Sequence, residues 1–282
     1  MATLTMRGVD LPSGETIPVL GQGTWHLGQG RHPRAEEIAA IREGIGLGMT
    51  LVDTAEMYGA GATEELVGEA IADRRDDVFL VSKVLPSHAT RRGTVAACRA
   101  SLQRLGTDHL DMYLLHWRGP IPLQETVAGF DDLREAGLIR HWGVSNFDLG
   151  EIERLLRIDG GDAVETDQVL YNLGRRSIEW SLLPWCIENG LPIMAYSPLE
   201  QGRLLRDGVL RGISLHHHVT PAQVAIAWVI AHPGVCAIPE AGTVEHAREN
   251  RAAVDLHLPP NDMLKLDEAF PGPTGPQPLD ML

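Results

Sequence analysis

Short apolar runs alternate with amphipathic stretches along the chain, and each pair predicts a β-strand followed by an α-helix. In one such stretch, apolar residues at helical spacing share one helix face: Val95, Cys98, Leu102 and Leu105. The candidate strands begin near Gly21, Thr50, Phe79, Leu110, Ile139, Val164, Pro192 and Val235. Eight strand–helix units within roughly 250 residues predict an α/β fold, a (β/α)8 TIM barrel, because a doubly wound sheet normally uses fewer strands.

The two ends of the chain lie outside this repeating pattern. Leu4–Val9 and Thr16–Leu20 flank the turn sequence Pro12-Ser13-Gly14, which predicts an N-terminal β-hairpin that covers the bottom of the barrel. Four prolines between residues 271 and 278 exclude regular helix from the C-terminal tail, so we expect an extended strap or a loose end. No internal linker suggests a second domain, and residues 1–282 are predicted to form one domain.

Local signals also mark a helix start and a long loop. Thr220-Pro221-Ala222-Gln223 combines a capping threonine, a proline at the first helical position and a glutamine three residues after the cap. The widest gap between predicted strands contains Ser197–Val219, and we expect a long loop there, at the mouth of the barrel. His216, His217 and His218 fall in this segment and are interpreted as loop residues, since consecutive side chains rarely point at one metal ion.

The amino-acid composition narrows the range of molecules that this protein is expected to bind. With 24 basic and 38 acidic residues, the formal net charge is −14, which argues against nucleic acid or an anionic membrane as the main partner. The apolar fraction of 44% is sufficient for a packed core, and small molecules are the expected ligands. Three widely spaced cysteines predict free thiols, and the absence of a leader pattern or a long apolar run predicts a cytoplasmic protein.

Reactive side chains follow neighbouring predicted strands at the end where a TIM barrel carries its active site. The second strand ends in Asp53 and is followed by Tyr58, the third ends in Lys83, and the fourth leads to His116. Each residue alone has an ordinary structural explanation, as a cap, a rim aromatic, a solvated strand end or a core histidine. Their joint placement at adjacent strand ends predicts a catalytic constellation.

Several short motifs, in order, resemble the aldo-keto reductase family, in its bacterial short-loop form. They are Asp53-Thr54-Ala55-Glu56-Met57-Tyr58-Gly59, Lys83, His116, Gly143-Val144-Ser145-Asn146-Phe147, Gln168, Tyr171-Asn172, Tyr196-Ser197-Pro198-Leu199 with Gly202, and Arg248-Glu249-Asn250. The resemblance runs from the N-terminal hairpin to the C-terminal tail. It implies a monomeric oxidoreductase that uses NAD(P)H to reduce aldehydes and ketones to alcohols.

The chemistry of carbonyl reduction agrees with the roles that the resemblance implies. A proton donor must face the carbonyl oxygen, and a phenol is a poor acid at neutral pH. The Lys83 ammonium would lower the pKa of Tyr58, and Asp53 would keep that ammonium charged and oriented. By resemblance, Tyr58 is the general acid and His116 orients the carbonyl.

The predicted cofactor site rests on the resemblance, with partial chemical support. Ser145, Asn146 and Gln168 suit a nicotinamide carboxamide, and Tyr196 suits stacking on its ring. Backbone amides near Ser197, Leu199 and Gly202 would approach the pyrophosphate. The other predicted cofactor residues are Gly23, Thr24, Trp25, Glu240, His246, Glu249 and Asn250.

One departure from the family pattern concerns cofactor choice. Glu240 stands where many relatives have a lysine, and a carboxylate repels a phosphate but accepts hydrogen bonds from an unmodified ribose. Because the family mostly uses NADPH, NADPH is placed before NADH, and NADH remains possible. No metal is expected.

Trp25, Met57 and Trp117 are predicted to form an apolar mouth that accepts small aldehydes, ketones or dicarbonyls. Two alternatives remain open. Lys83 could be the nucleophile of a Schiff-base aldolase, or the chain could be a non-catalytic redox sensor that binds the nucleotide.

Overall fold

The computed structural model describes residues 6–282, and its centre is an eight-stranded parallel sheet. The strands are β3 (Gln22–Gly23), β4 (Leu51–Asp53), β5 (Phe79–Val84), β6 (Leu110–Leu115), β7 (Ile139–Ser145), β8 (Val164–Leu170), β9 (Ile193–Tyr196) and β10 (Val235–Ile238). Every predicted strand is present and begins at, or one residue after, the predicted position. The barrel prediction is confirmed.

The sheet closes between its last and first strands. Consecutive strands pair in parallel from β3 to β10, and isolated bridges join Leu20 to Ala237 and Gly23 to Glu240. The Gly21 N–H donates to the Ala237 carbonyl at 2.8 Å. A Cβ on Gly23 would lie 2.6 Å from the Ile238 carbonyl oxygen, so only glycine allows this closure.

Helices follow the strands and surround the barrel. They are α1 (Arg34–Gly46), α2 (Ala62–Ile71), α3 (Arg91–Leu105), α4 (Leu123–Glu135), α5 (Leu149–Leu155), α6 (Leu182–Asn189), α7 (Gly208–His217), α8 (Pro221–Ile230), α9 (Val244–Ala252) and α10 (Pro260–Ala269). The predicted capping box of α8 is present, with Thr220 and Gln223 bonding reciprocally. None of the helices in the described range is long and apolar enough to cross a membrane.

The core lies between the barrel and the helix layer. Strands β5, β6 and β8 are buried along their whole length, as strands covered on both faces must be. Aromatic side chains fill the interlayer space, where Trp142 of β7 stacks on Phe130 of α4 with ring centroids 5.1 Å apart. The predicted apolar face of α3 is confirmed by the burial of Cys98, Leu102 and Leu105.

The predicted hairpin is present as β1 (Gly8–Asp10) and β2 (Thr16–Pro18), although Leu4 and Thr5 of the predicted first strand fall outside the described residues. Its turn contacts the N-terminal ends of the barrel strands. Glu15 pairs with Arg140 at 2.7 Å, and the Ser13 N–H donates to Glu165 at 3.0 Å. The hairpin therefore covers the end of the barrel opposite the predicted site.

The segment predicted as a long loop contains a helix. Helix α7 occupies residues 208–217, so the interpretation of His216 and His217 as loop residues is wrong; only His218, with a φ of 55°, lies just beyond the helix end. Asp207 caps α7 by accepting from the Val209 and Leu210 amides. The capping aspartate was the local signal for this helix.

The C-terminal tail contains no helix beyond Phe270, in agreement with its prolines, and it is attached rather than loose. The Asp280 N–H donates to Ser177 Oγ at 3.1 Å, and the Asp280 carboxylate pairs with Arg175 at 3.4 Å. This attachment brings Met281 and Leu282 to the mouth of the barrel.

Candidate active site

The C-terminal ends of the barrel strands surround a cavity of about 510 Å³. Most of the predicted site residues line it: Gly23, Thr24, Trp25, Asp53, Met57, Tyr58, His116, Trp117, Ser145, Asn146, Gln168, Tyr196, Ser197, Leu199, Gly202 and Glu240. Predicted residues absent from its lining are Lys83, His246, Glu249 and Asn250. Residues from seven strand ends and the loops after them therefore meet in one place, as parallel strands in a closed barrel require.

Lys83 lies directly beneath the cavity and is completely buried. Its ammonium nitrogen contacts three oxygen atoms: Asp53 Oδ2 at 2.8 Å, the Thr54 carbonyl at 2.8 Å and the Tyr58 hydroxyl at 3.1 Å. An ammonium has three hydrogens and can only donate, so all three are used. The Tyr58 oxygen is therefore an acceptor toward Lys83, and its own hydrogen is free to point into the cavity.

Asp53 is held from two sides. Its Oδ2 pairs with Lys83, and its Oδ1 accepts from Gln168 Nε2 at 2.8 Å across the barrel. A buried carboxylate is stable only when it is paired and hydrogen-bonded, and both of its oxygens meet this condition. The predicted function of Asp53, to orient Lys83, agrees with this geometry.

The direction of the Tyr58 pKa differs from the sequence-based expectation. Burial, followed by the charges of Asp53 and Glu240, raises the pKa of the phenol well above its usual value. The Lys83 ammonium does not reverse this shift because Asp53, at 2.8 Å, already neutralises it. Burial also lowers the pKa of Lys83 and raises that of Asp53, against their mutual attraction. In this site Tyr58 is therefore a neutral phenol that carries its proton.

His116 is neutral as well. Burial, and next the charge of Lys83, holds its pKa well below the usual value for imidazole. Its ring meets the Tyr58 ring edge-on, with centroids 5.8 Å apart. Among residues 6–282 no group pairs with the buried Nδ1, which favours the tautomer with hydrogen on Nε2 because an orphaned N–H is the rarer arrangement. Nε2 can then donate to a ligand oxygen.

A polar network forms the far wall of the cavity. Asn146 donates to the His116 carbonyl at 3.1 Å and to Ser145 Oγ at 3.0 Å, and its Oδ1 accepts from the Tyr196 hydroxyl at 2.9 Å. Ser145 in turn donates to the Gln168 carbonyl at 2.8 Å. Both amide hydrogens of Asn146 are thus used within the protein, and the network holds the Tyr196 ring in place.

The loop after β9 has an unusual backbone. Four of its residues have positive φ: Ser197 (48°), Glu200 (48°), Gln201 (54°) and Gly202 (82°). Three of these are not glycine, and such strain persists only where surrounding contacts impose it. Glu200 supplies those contacts, since its buried carboxylate accepts from Asn172 at 2.9 Å and pairs with Arg175 at 3.1 Å.

Of the four predicted residues after β10, one lines the cavity and three do not. Glu240 faces the cavity, and its carboxylate accepts from the His26 N–H at 2.8 Å. Asn250 is buried and donates to the Glu240 carbonyl at 3.4 Å, which supports the loop from behind. His246 is exposed outside the cavity lining. Glu249, also outside the lining, accepts through its carbonyl from Gln223 on α8.

Sequence reasoning missed several residues that line the cavity. They are His26, Arg31, Pro198, Gln201, Ile238, Pro239, Met281 and Leu282. Pro198 and Pro239 lie within segments whose neighbours were predicted, and adjacency could have found them. Arg31 and the two tail residues carried no local signal, because only the folded chain brings them to the cavity. In the described part of the chain, no group of three or more His, Cys, Asp or Glu residues is placed to hold a metal ion.

Comparisons with known proteins point to one family. The Aldo/keto reductase family model matches residues 19–270. Methylglyoxal reductase YeaE of Escherichia coli K12 is 48% identical over 272 residues, which are 95% of this chain and 96% of that protein. Glyoxal reductase of Bacillus subtilis 168 is 33% identical over 286 residues and the full length of both chains.

A solved structure is similar over nearly the whole fold. The crystal structure of an aldo/keto reductase from Klebsiella pneumoniae in complex with NADP and acetate has a TM-score of 0.95 and 47% identity, covering 99% of this chain and 100% of that one. The family model, the relatives and the solved structure thus point to the same family. The chain belongs to the aldo/keto reductase family.

Proposed function

We propose that this protein reduces small aldehydes and ketones, with α-oxoaldehydes of the methylglyoxal class first, and uses NADPH in preference to NADH. The observation that carries the proposal is the contact of Tyr58 with the buried Lys83–Asp53 pair at the floor of the cavity. Relatives named methylglyoxal reductase and glyoxal reductase support the substrate class. The K. pneumoniae complex with NADP supports the cofactor.

The residues at the cavity wall fit a nicotinamide dinucleotide. The Tyr196 ring offers a flat surface, and the Asn146 and Gln168 side chains present acceptor oxygens that suit a carboxamide N–H. The strained loop from Ser197 to Gly202 exposes backbone near the same wall, which suits a pyrophosphate. When bound, the reduced dinucleotide supplies a hydride for the carbonyl carbon.

Proton delivery falls to Tyr58. As hydride addition makes the carbonyl oxygen an alkoxide, the Tyr58 hydroxyl hydrogen moves to that oxygen, because an alkoxide is a stronger base than a phenolate. The phenolate left on Tyr58 accepts a hydrogen bond from the Lys83 ammonium, 3.1 Å away in the resting site. Neutral His116 donates from Nε2 to the same substrate oxygen and orients it. A high resting pKa for Tyr58 is compatible with this role, since the proton must be present at the start.

The mouth of the cavity favours small substrates with an apolar side. Trp25 and Met57 are exposed there, and Trp117 lies beside His116. Arg118, which could have attracted an anionic substrate, is engaged with backbone carbonyls of its own loop, including that of Ile121 at 2.8 Å. The site therefore presents aromatic and thioether surface to the substrate.

A Tyr58→Phe variant tests the catalytic role. We expect kcat for methylglyoxal with NADPH to fall about 10²–10⁴-fold, the usual contribution of general acid catalysis, while the Kd for NADPH, measured by tryptophan fluorescence, stays unchanged. Tyr113→Phe is the matched control, because Tyr113 is buried on β6 and packs against Phe130 of α4, outside the barrel interior. Near-normal turnover in Tyr58→Phe would remove Tyr58 from the mechanism.

The Schiff-base alternative has less support. A nucleophilic lysine must present a neutral amine to the substrate, whereas Lys83 is fully buried and uses its three hydrogens on Asp53, Thr54 and Tyr58. Borohydride treatment in the presence of methylglyoxal is expected to leave Lys83 unlabelled. A covalent adduct on Lys83 would favour the aldolase.

We also propose that the protein acts as a cytoplasmic monomer. The family resemblance implies the monomer, and the three free, buried cysteines agree with a reducing compartment. Light scattering of the purified protein should give the mass of one chain. A dimer that persists at micromolar concentration would contradict the monomer.

A further inference from the structure

The cavity is poor in positive charge for a ligand that carries several phosphates. The chain has a formal net charge of −14, and Asp53 and Glu240 are both part of the lining. Lys83 is not exposed to the cavity, and its charge is already paired with Asp53. Among the described lining residues, the one side chain with a permanent positive charge is Arg31.

Arg31 lies beside the strand end at which the phosphate site was predicted. It belongs to the connection between β3 and α1, and the ring of the next residue, His32, packs on Gly242, where a Cβ would lie 2.5 Å from the ring. Gly242 is two residues beyond Glu240. The loop that carries Arg31 thus contacts the β10 end through His32, while Arg31 itself is exposed at the rim of the cavity.

Hydrogen bonds fix the same loop from its other side. The Gly28 N–H donates to the buried Glu37 carboxylate at 2.9 Å, and Gly28 has a φ of 74°, which glycine adopts without strain. The Gln29 side chain donates to the Trp25 carbonyl at 2.6 Å. Arg31 therefore projects from an anchored loop, which limits the conformational entropy lost on binding.

Arg31 differs from nearby arginines, whose side chains form ion pairs. Arg34 pairs with Glu69 at 2.9 Å, and Arg248 pairs with Glu43 at 2.7 Å. Within residues 6–282, Arg31 makes no ion pair within 4.0 Å. Glu240 is itself occupied, because its Oε2 accepts from the His26 N–H at 2.8 Å. A phosphate at this rim would thus meet the Arg31 guanidinium, which has no ion-pair partner within the described range, beside a Glu240 carboxylate that is hydrogen-bonded to His26.

We propose that Arg31 binds the 2′-phosphate of NADPH, so that the cation for this group comes from the loop after β3 instead of the segment after β10. This inference rests on the proposed function. A guanidinium presents two parallel N–H donors that match a phosphate. Arg31 is a specificity residue: it distinguishes NADPH from NADH and takes no part in proton transfer.

Binding measurements on Arg31→Ala test the assignment. The Kd values for NADPH, NADH, 2′,5′-ADP and 5′-ADP are measured by fluorescence or calorimetry. We expect the variant to bind NADPH and 2′,5′-ADP about tenfold or more weakly, the effect of losing a hydrogen bond to a charged group. The Kd values for NADH and 5′-ADP should change less than about twofold, and Arg31→Lys should recover part of the NADPH affinity.

The control variant for Arg31→Ala is Arg92→Ala. Arg92→Ala removes the same charge from an exposed position on α3, outside the cavity lining, and should leave every Kd unchanged. An unchanged NADPH Kd in Arg31→Ala, or equal losses for NADPH and NADH, would overturn the 2′-phosphate assignment while leaving the proposed function intact. If the unaltered chain binds neither dinucleotide, the proposed function fails, and the Arg31 assignment fails with it.

Discussion

Replacing Lys83 by methionine separates the stability of the site from its catalysis. Methionine has a similar length but no donor, so the three contacts of the ammonium are lost together. The Asp53 carboxylate is then buried without a counter-charge and keeps the Gln168 hydrogen bond as its remaining side-chain partner. Breaking a buried ion pair by removing one partner costs about 3–5 kcal/mol.

A second substitution should recover most of this loss. In the double variant Lys83→Met/Asp53→Asn no charge is left buried, and the new amide oxygen can still accept from Gln168. Replacing both members of a buried pair is often close to neutral for stability. Turnover should stay at least about 100-fold below normal, because the phenolate formed on Tyr58 has lost its ammonium.

Urea unfolding at neutral pH measures the stability effect. With a slope of about 3 kcal/mol per molar urea, a loss of 3–5 kcal/mol lowers the midpoint by roughly 1–2 M. Burial already raises the pKa of Asp53 above 3.8, so the deficit of Lys83→Met should shrink as the pH falls and Asp53 takes up a proton. A single variant as stable as the unaltered chain would refute the reasoning, as would a double variant no more stable than the single one.

Three further predictions concern the rest of the fold. The pKa of His141 is raised, first by a hydrogen bond with Glu165 and also by Glu15, so its contribution to stability is full below about pH 6.5 and is lost as the pH rises through its folded pKa. His141→Gln should flatten the pH profile of the urea midpoint in that window, and an unchanged profile would show that the contacts of His141 with Glu165 and Glu15 do not stabilise the fold. In Gly68→Ala, the new Cβ would lie 2.4 Å from the Leu105 carbonyl oxygen, and this overpacking should lower the free energy of unfolding by about 1–3 kcal/mol. An unchanged Tm in a thermal melt would contradict the tight contact between α2 and α3. Burial raises the pKa of all three thiols, those of Cys98, Cys186 and Cys236, to about 12. A disulfide exchange reagent should therefore label none of them in the native protein. Rapid labelling of any one would contradict its buried position.

The alternation of apolar runs and amphipathic stretches predicted the architecture, because barrel strands are buried on both faces and are therefore continuously apolar. The same reasoning located Tyr58, Lys83, Asp53 and His116, since strand ends in a parallel barrel converge on one face. Local pattern failed at α7, where glycines and a histidine run obscured a helix that its Asp207 cap and its packing against α8 stabilise.

Residues that reach the cavity from elsewhere in the chain were not predictable from local sequence. Arg31 follows a glycine in a connection with no periodicity, and it becomes part of the site only because His32 packs on Gly242, 210 positions later in the sequence. Met281 and Leu282 reach the mouth because Asp280 binds Ser177 and Arg175. Such contacts depend on chain closure, and no short window contains both partners.

The sequence by itself determined the order of the strands, the barrel class and the candidate reacting groups, because hydrophobic periodicity and residue chemistry are local properties. Tertiary structure decided the electrostatics. It set Lys83 against Asp53 at 2.8 Å, kept the Tyr58 proton in place by burial and hydrogen-bonded Glu240 to His26. Among residues 6–282, it left Arg31 without an ion pair. Charge and pKa depend on distance and desolvation, which exist only once the chain has folded.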